Sequence, residues 1–424
     1  MLWEGVGFDP LPEETIRMLL ARGITQHIRL DAKMIPTAKA LQAAGSPVIV
    51  MEGKAGAWPY PLAGDPALWA HQYPPDQVVP PEWRSLPNPA RIAGWSVAAD
   101  QIRETLRSFK SAGVNVNAIW LDYENEPAQA SYAAALASPT TRAELPAAAL
   151  ASEREFRNYT RQLWQNLLST YVAAPIREIY PAASVTNWIT TISTPERALR
   201  GWTDEPHPPS GPTEFTATNP IAYAIDTYFL NAWKPEYPLD QRHVDRFYTH
   251  VLLRQVSDDA YNRAQIAPHM ISIPWVARWV PDHPRQRTPV MSREAYREAL
   301  RHLWLRGISG MLVFNPVRAD YEHMALTEVE DAAAVYAEMF AFREFLEKSE
   351  VMNYEYPGPQ DNSVLWSGLR LYDELLVRTT NLGGSRKALA LPLRTGGTIE
   401  IEVPPGNSSY RHVRASNRVP NTLP

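Results

Sequence analysis

Apolar, β-branched runs alternate with helix-period segments along most of this chain, and that alternation leaves few architectures open. The candidate strands are Leu2–Asp9, Thr25–Asp31, Pro47–Glu52, Val114–Tyr123, Ser184–Thr190, Ala222–Leu230, His269–Trp275 and Gly310–Asn315. The segments between them read as helices over Pro12–Arg22, Ala38–Ala44, Ser96–Ala112, Ser152–Tyr171, Asp240–Gln255, Ser292–Leu305 and Leu326–Lys348. In Ser96–Ala112, for instance, Ile102, Leu106 and Phe109 share one face and Gly113 marks the stop. Strands separated by helices pair in parallel through right-handed crossovers.

Eight such units predict a (β/α)8 TIM barrel over residues 1–348. The connections have a direction. Those entering strands are short: Ala21-Arg22-Gly23, Ala44-Gly45-Ser46, Ala112-Gly113 and Arg306-Gly307. Those leaving strands are long, roughly 40 residues after the third strand and about 25 after the fourth and fifth, and loops of that length are usually functional. Sites in such barrels lie where strands exit, so the asymmetry marks a working face. Beyond Lys348, short runs at Ser363–Arg370, Glu374–Thr380, Lys387–Leu393 and Thr398–Val403 alternate with Gly-rich turns. They predict a small C-terminal antiparallel β-sandwich domain over 349–414, with 415–424 a disordered tail.

Composition excludes several classes of function. In 424 residues the net charge is −5 and no polybasic run occurs, so no nucleic-acid partner is expected. No apolar stretch is long enough to span a bilayer, so no membrane partner is expected either. The chain has no cysteine, which removes disulfides, thiolate metal sites and thiol nucleophiles together. No His-Glu-x-x-His, phosphate loop, nucleophile elbow or dinucleotide fingerprint is present, and neither a metal nor a cofactor is expected. The first strand begins almost at Met1, leaving no room for a signal peptide; a periplasmic or secreted protein whose leader has been removed fits as well as a cytosolic one. Composition does not set the oligomeric state. The 39 prolines and 14 tryptophans cluster in the same loops, which suits a rigid groove that stacks the flat faces of sugar rings.

The fourth strand ends in Asp122-Tyr123-Glu124-Asn125-Glu126-Pro127. By strand alternation Asp122 and Glu124 point the same way, and Glu126 with them if the strand persists. Two carboxyls together in a partly desolvated pocket push their pKa values apart, so one stays ionised while the other keeps its proton. Glycosidic cleavage needs that division: an acid for the leaving oxygen and a negative group beside the oxocarbenium-like centre. The structural alternative is an acidic cluster that caps loops.

Asp122-Tyr123-Glu124, after an apolar run, resembles the D-x-E motif of chitinase-like and hyaluronidase-like barrels. The resemblance implies Glu124 as acid/base, Asp122 as the group orienting the substrate's acetamido arm, and Tyr228 on strand six as a partner of the acetamido oxygen. Ile119-Trp120-Leu121-Asp122 with Asn125-Glu126-Pro127 also resembles the W-x-D-M-N-E-P strand of α-glucosidase-like enzymes. That resemblance implies Asp122 as nucleophile and Asp226 as acid/base. Asn125-Glu126-Pro127 is similar, too, to the N-E-P of cellulase-like barrels, which implies Glu126 as acid/base. The expectation is a retaining glycoside hydrolase acting on an oligo- or polysaccharide. A non-catalytic carbohydrate-binding barrel is the rival from another class.

Asp9, Asp31, Glu52, Asn187, Asp226, Trp275 and Asn315 fall at or near the ends of different strands, as substrate-binding groups in a barrel would. Each has capping or loop fixing as its alternative role. In the loop after strand three, Trp58 is the stacking candidate because it lies nearest Glu52.

Overall fold

The computed structural model describes residues 1–52, 92–121, 132–137, 139–187, 192, 194, 196–197, 213–224, 236, 238–279, 290–315, 321–394, 396–406, 408–414 and 421–422. The fold is mixed α/β, with parallel sheets followed by a C-terminal antiparallel sheet. Contacts divide it into two units: Met1–Val6, Ala21–Ile24 and Pro220–Pro424 form one, and Gly7–Leu20 with Thr25–Asn219 form the other.

The second unit holds a four-stranded parallel sheet ordered His27–Ile28, Val48–Glu52, Val116–Leu121, Ser184–Asn187. These are candidate strands two to five in sequence order. Both sheet faces are covered: Val50, Ile119 and Val185 alternate with Met51, Trp120 and Thr186, and all six are buried. A bulge at Val48/Ile49 shifts the register by one residue, and the Asn117 Oδ1 accepts the Val48 N–H at 2.8 Å.

The first unit holds a second four-stranded parallel sheet, ordered Leu2–Trp3, Leu312–Val313, Trp275–Ala277, Ile221–Tyr223. Here candidate strand one pairs with candidate strand eight. The strands are shorter than the apolar runs suggest. Leu2–Trp3 gives way to a 3-10 turn over Glu4–Val6, and Gly7 has a φ of 71°. Candidate strand seven divides into Ile271–Ser272 and Trp275–Ala277, because Pro274 between them has no N–H for a ladder.

Helices are longer than expected where tertiary burial extends them. Gln241–Ile266 runs for 26 residues from an Asp240 cap whose carboxylate accepts the His243 N–H at 3.0 Å. Arg293–Trp304 starts from a Ser292 cap as the sequence indicates. The exit from Val116–Leu121 carries helical segments of its own at Tyr132–Ala137, Pro139–Glu144 and Ala147–Leu150.

Entry into strands follows one device. Gly23, Gly45, Gly113 and Gly307 have φ between 74° and 80°, the left-handed end of a helix. At Gly23 a Cβ would also lie 2.1 Å from the Tyr336 ring. Left-handed backbone and overpacking together predict that Gly23→Ala destabilises the fold by about 2–4 kcal/mol. Urea denaturation checks it; a change within about 0.5 kcal/mol, the range of an ordinary surface substitution, contradicts it.

The C-terminal sheet is antiparallel in the order Glu350–Val351, Val364–Leu371, Glu374–Asn381, Ser408–Arg414, Asn421–Thr422. The hairpin Lys387–Pro392/Thr398–Val403 packs on it around Leu375, Val377, Leu391, Ile401, Val403 and Val413. Asn421–Thr422 falls within the segment expected to be a tail and pairs with Arg411–His412.

Polar groups bind this sheet to the helix Arg293–Trp304. The Glu298 carboxylate accepts from the Arg378 guanidinium at 2.7 and 2.8 Å and from the Thr380 hydroxyl at 2.6 Å. Burial works against the charged Glu298, but hydrogen bonds from His302 and Arg378 outweigh it and hold the carboxyl far below the usual range. The buried Arg306 donates to the Ser367 hydroxyl and to the Asn353, Glu355 and Trp366 carbonyls at 2.6–2.8 Å.

Candidate active site

Ligands of parallel α/β sheets bind beyond the carboxyl ends of the strands. In the second unit those ends are level. Glu52 pairs with Leu121, and Leu121 with Asn187, so three neighbouring strands stop at the same height. The residue after Leu121 is Asp122, the first of the acidic run.

Asp122, Glu124, Glu126, Asp226, Tyr228 and Trp58 lie outside the described residues. Glu52 is the last residue of its strand, with its side chain outside the description. Asn187 ends its own strand and is buried. Two candidates stand off the strand ends. Asp9 is exposed in a bend, and its carbonyl accepts the Gln26 amide at 2.6 Å. Asp31, also exposed, caps the 3-10 turn Ala32–Met34 by accepting the Lys33 N–H at 2.9 Å, the local role typical of Asp before a helical turn.

In the first unit Trp275 opens its strand instead of ending it. It is 2% exposed and packs edge-on against Phe314, with ring centroids 5.7 Å apart. That is a core position. Asn315 does follow a strand end, and it is fully buried. Its amide donates to the Trp279 carbonyl at 2.8 Å and to the Glu328 carboxylate, while its own carbonyl accepts the Trp3 indole N–H at 2.9 Å. Glu328 in turn accepts the Arg278 backbone N–H at 2.7 Å, one residue past the strand Trp275–Ala277. Burial raises the Glu328 carboxyl to about 7, against the pull of its hydrogen bonds and of Arg278.

The Glu328 cluster went unread in the sequence, where Leu326-Thr327-Glu328-Val329-Glu330-Asp331 looks like an ordinary charged helix face. A signal was present: Ala325, Glu328, Val329 and Ala332 follow the buried stripe of the helix. His27 was passed over as well. It is fully buried against the edge of Phe8, with centroids 4.7 Å apart. Burial, and then the charge of Arg29, lower its pKa to about 4, so the ring is neutral near pH 7.

Among the described residues no cluster of three or more His, Asp or Glu could hold a metal ion. Nor, among them, is any helix long and apolar enough to cross a membrane.

No protein-family model matches the chain. No curated protein matches it in sequence. Similar solved structures include a debranching enzyme from Nostoc punctiforme, 11% identical, covering 94% of this chain and 87% of that one with a TM-score of 0.45. A GH36 α-galactosidase from Geobacillus stearothermophilus is 13% identical, covering 100% of this chain and 53% of that one with a TM-score of 0.48. An α-amylase from Geobacillus thermoleovorans, complexed with acarbose, is 7% identical, covering 95% of this chain and 91% of that one with a TM-score of 0.44.

Proposed function

We propose that the chain is a (β/α)8-barrel glycoside hydrolase that cleaves an oligo- or polysaccharide with retention. The observation that carries the reading is the level exit of Val48–Glu52, Val116–Leu121 and Ser184–Asn187, because the acidic run begins at the very next residue of the middle strand. Carboxyls at such an edge would be partly desolvated and close together, which separates their protonation states. In the mechanism, the Glu124 carboxylic acid gives its proton to the glycosidic oxygen as the C1–O bond breaks. Asp122, ionised, orients the substrate's acetamido group, whose oxygen bonds to C1; Tyr228 would hold that oxygen. Glu124 then takes a proton from the water that displaces it. Glu52 and Asn187 would bind hydroxyls, and Trp58 would stack on a ring; Asn315, fully buried and bonded to the Trp279 carbonyl and Glu328, is left to the scaffold.

A second reading keeps Asp122 as a covalent nucleophile with Asp226 as acid/base. It draws support from the strand Ile221–Tyr223, which pairs beside Trp275–Ala277 and leads within a few residues to Asp226. Glu124→Gln and Asp226→Asn separate the two. Removing a general acid/base costs roughly 10²–10⁴-fold in kcat, so Glu124→Gln is expected to lose that much while Asp226→Asn loses less than tenfold. The reverse order selects Asp226, and full activity in Glu124→Gln ends its acid role.

A further inference from the structure

One side chain fastens the exits of two neighbouring parallel strands, and each of these is bonded in turn to the strand on its other side. Glu328, on the helix Glu322–Phe340, is fully buried and spends both carboxylate oxygens on segments that leave the sheet. Its Oε1 accepts the Arg278 N–H at 2.7 Å, just past Trp275–Ala277. Its Oε2 accepts the Asn315 amide, just past Leu312–Val313. Asn315 carries the connection on to Leu2–Trp3 through the Trp3 indole at 2.9 Å. The strand on the other side joins as well, since the Ala224 N–H donates at 2.9 Å to the carbonyl of Ala277, the residue before Arg278. Ala224 leads directly to Ile225-Asp226-Thr227-Tyr228.

A buried carboxylate is an expensive way to hold a scaffold together; an amide or apolar packing of the same shape would cost less. Its advantage is that the ionised form offers a full acceptor on each oxygen to two N–H donors at once, whereas protonation turns one oxygen into a donor and a weak acceptor. We propose that Glu328 is a positioning residue for the glycosidase site: its carboxylate fixes the exits of the strands Trp275–Ala277 and Leu312–Val313. The role rests on the glycoside hydrolase reading.

The groups facing the carboxyl are Arg278 beyond its strand, the Asn315 amide, and Tyr296 from the helix Arg293–Trp304; Asp331, paired with Arg293 at 2.9 Å, acts on Tyr296. Burial places the carboxyl at about 7, so ionisation falls in the range where acid/base catalysis operates. The folded chain then holds a proton that the unfolded chain releases. Stability from this group is present below the unfolded carboxylate range and is lost as pH rises through about 7.

The test uses the full chain with Glu328→Gln, which keeps the shape but sets an amide donor against an N–H donor. Activity on a glycoside that the wild type cleaves, and the urea midpoint, are followed from about pH 5 to 9. In the wild type kcat rises through pH 7 as the midpoint falls. In the variant kcat is expected to drop about 10- to 100-fold with KM changed less than about twofold, and both inflections near pH 7 disappear. A variant that keeps the kcat inflection, or that loses activity equally at every pH in step with its midpoint, overturns the positioning role. A wild type that cleaves no glycoside overturns the functional reading and the positioning role with it; the midpoint inflection then reports on the carboxyl alone.

Discussion

Asp122→Asn is expected to reduce glycoside turnover by roughly 10³–10⁴-fold with little change in KM, the loss typical when one charged member of a catalytic set is neutralised. The substitution keeps the side chain's size and most of its hydrogen-bonding capacity and removes only the charge. Both mechanistic readings require that charge, whether Asp122 orients the acetamido group or attacks C1 itself. A general acid could be partly replaced by water or by an activated leaving group, whereas a missing charge beside an oxocarbenium-like centre could not. Initial rates on an aryl glycoside with a good leaving group make the contrast sharp. Glu124→Gln should recover activity on that substrate, and Asp122→Asn should not. The ladders that end at Glu52, Leu121 and Asn187 do not include the substituted position, so the variant should unfold at the wild-type urea concentration.

The second large effect concerns the C-terminal sheet. Glu298→Ala leaves the Arg378 guanidinium, 8% exposed, without its bidentate partner, and unpairing a buried ion of this kind costs about 3–5 kcal/mol. Two features moderate the loss: Arg378 lies over the Tyr410 ring at 4.3 Å, and Glu338 is 4.0 Å away. Replacing both partners, as in Glu298→Met with Arg378→Met, should therefore cost much less than the two single changes added together. Denaturation of the four proteins in urea measures this. Additive losses would mean that the pair does not act as a unit. A cost under about 1 kcal/mol for Glu298→Ala would mean that it behaves as a surface ion pair.

Periodicity carried most of the fold. Each of the eight apolar runs overlaps a strand, and strands two to five pair in their sequence order. Glycines at the helix stops were legible because a left-handed residue there has few alternatives. Strand length was not legible. An apolar run measures burial, and residues such as Leu30 stay buried after the ladder has ended. Trp275 shows the same limit: a residue at an apparent strand end reads as a substrate-binding group until Pro274 is seen to shift the strand beyond it. Asp31 was legible as an acid after a strand, but the chemistry that makes Asp a cap competes with substrate binding and depends on where the next helical turn begins. Glu328 was the costliest omission. A carboxylate on a buried stripe looks like noise in an apolar pattern, and only the hydrogen bonds to Arg278 and Asn315 give it a purpose.

Catalysis by the carboxylates that follow the Val116–Leu121 strand is open to product analysis. Wild type and Asp122→Asn are each incubated with a panel of acetamido and plain oligosaccharides, and new reducing ends and their anomeric form are followed by proton NMR. The wild type is expected to release sugar with the starting configuration retained, and Asp122→Asn to release essentially none. Saccharide binding without cleavage by the wild type, or undiminished cleavage by Asp122→Asn, would contradict catalysis by these carboxylates.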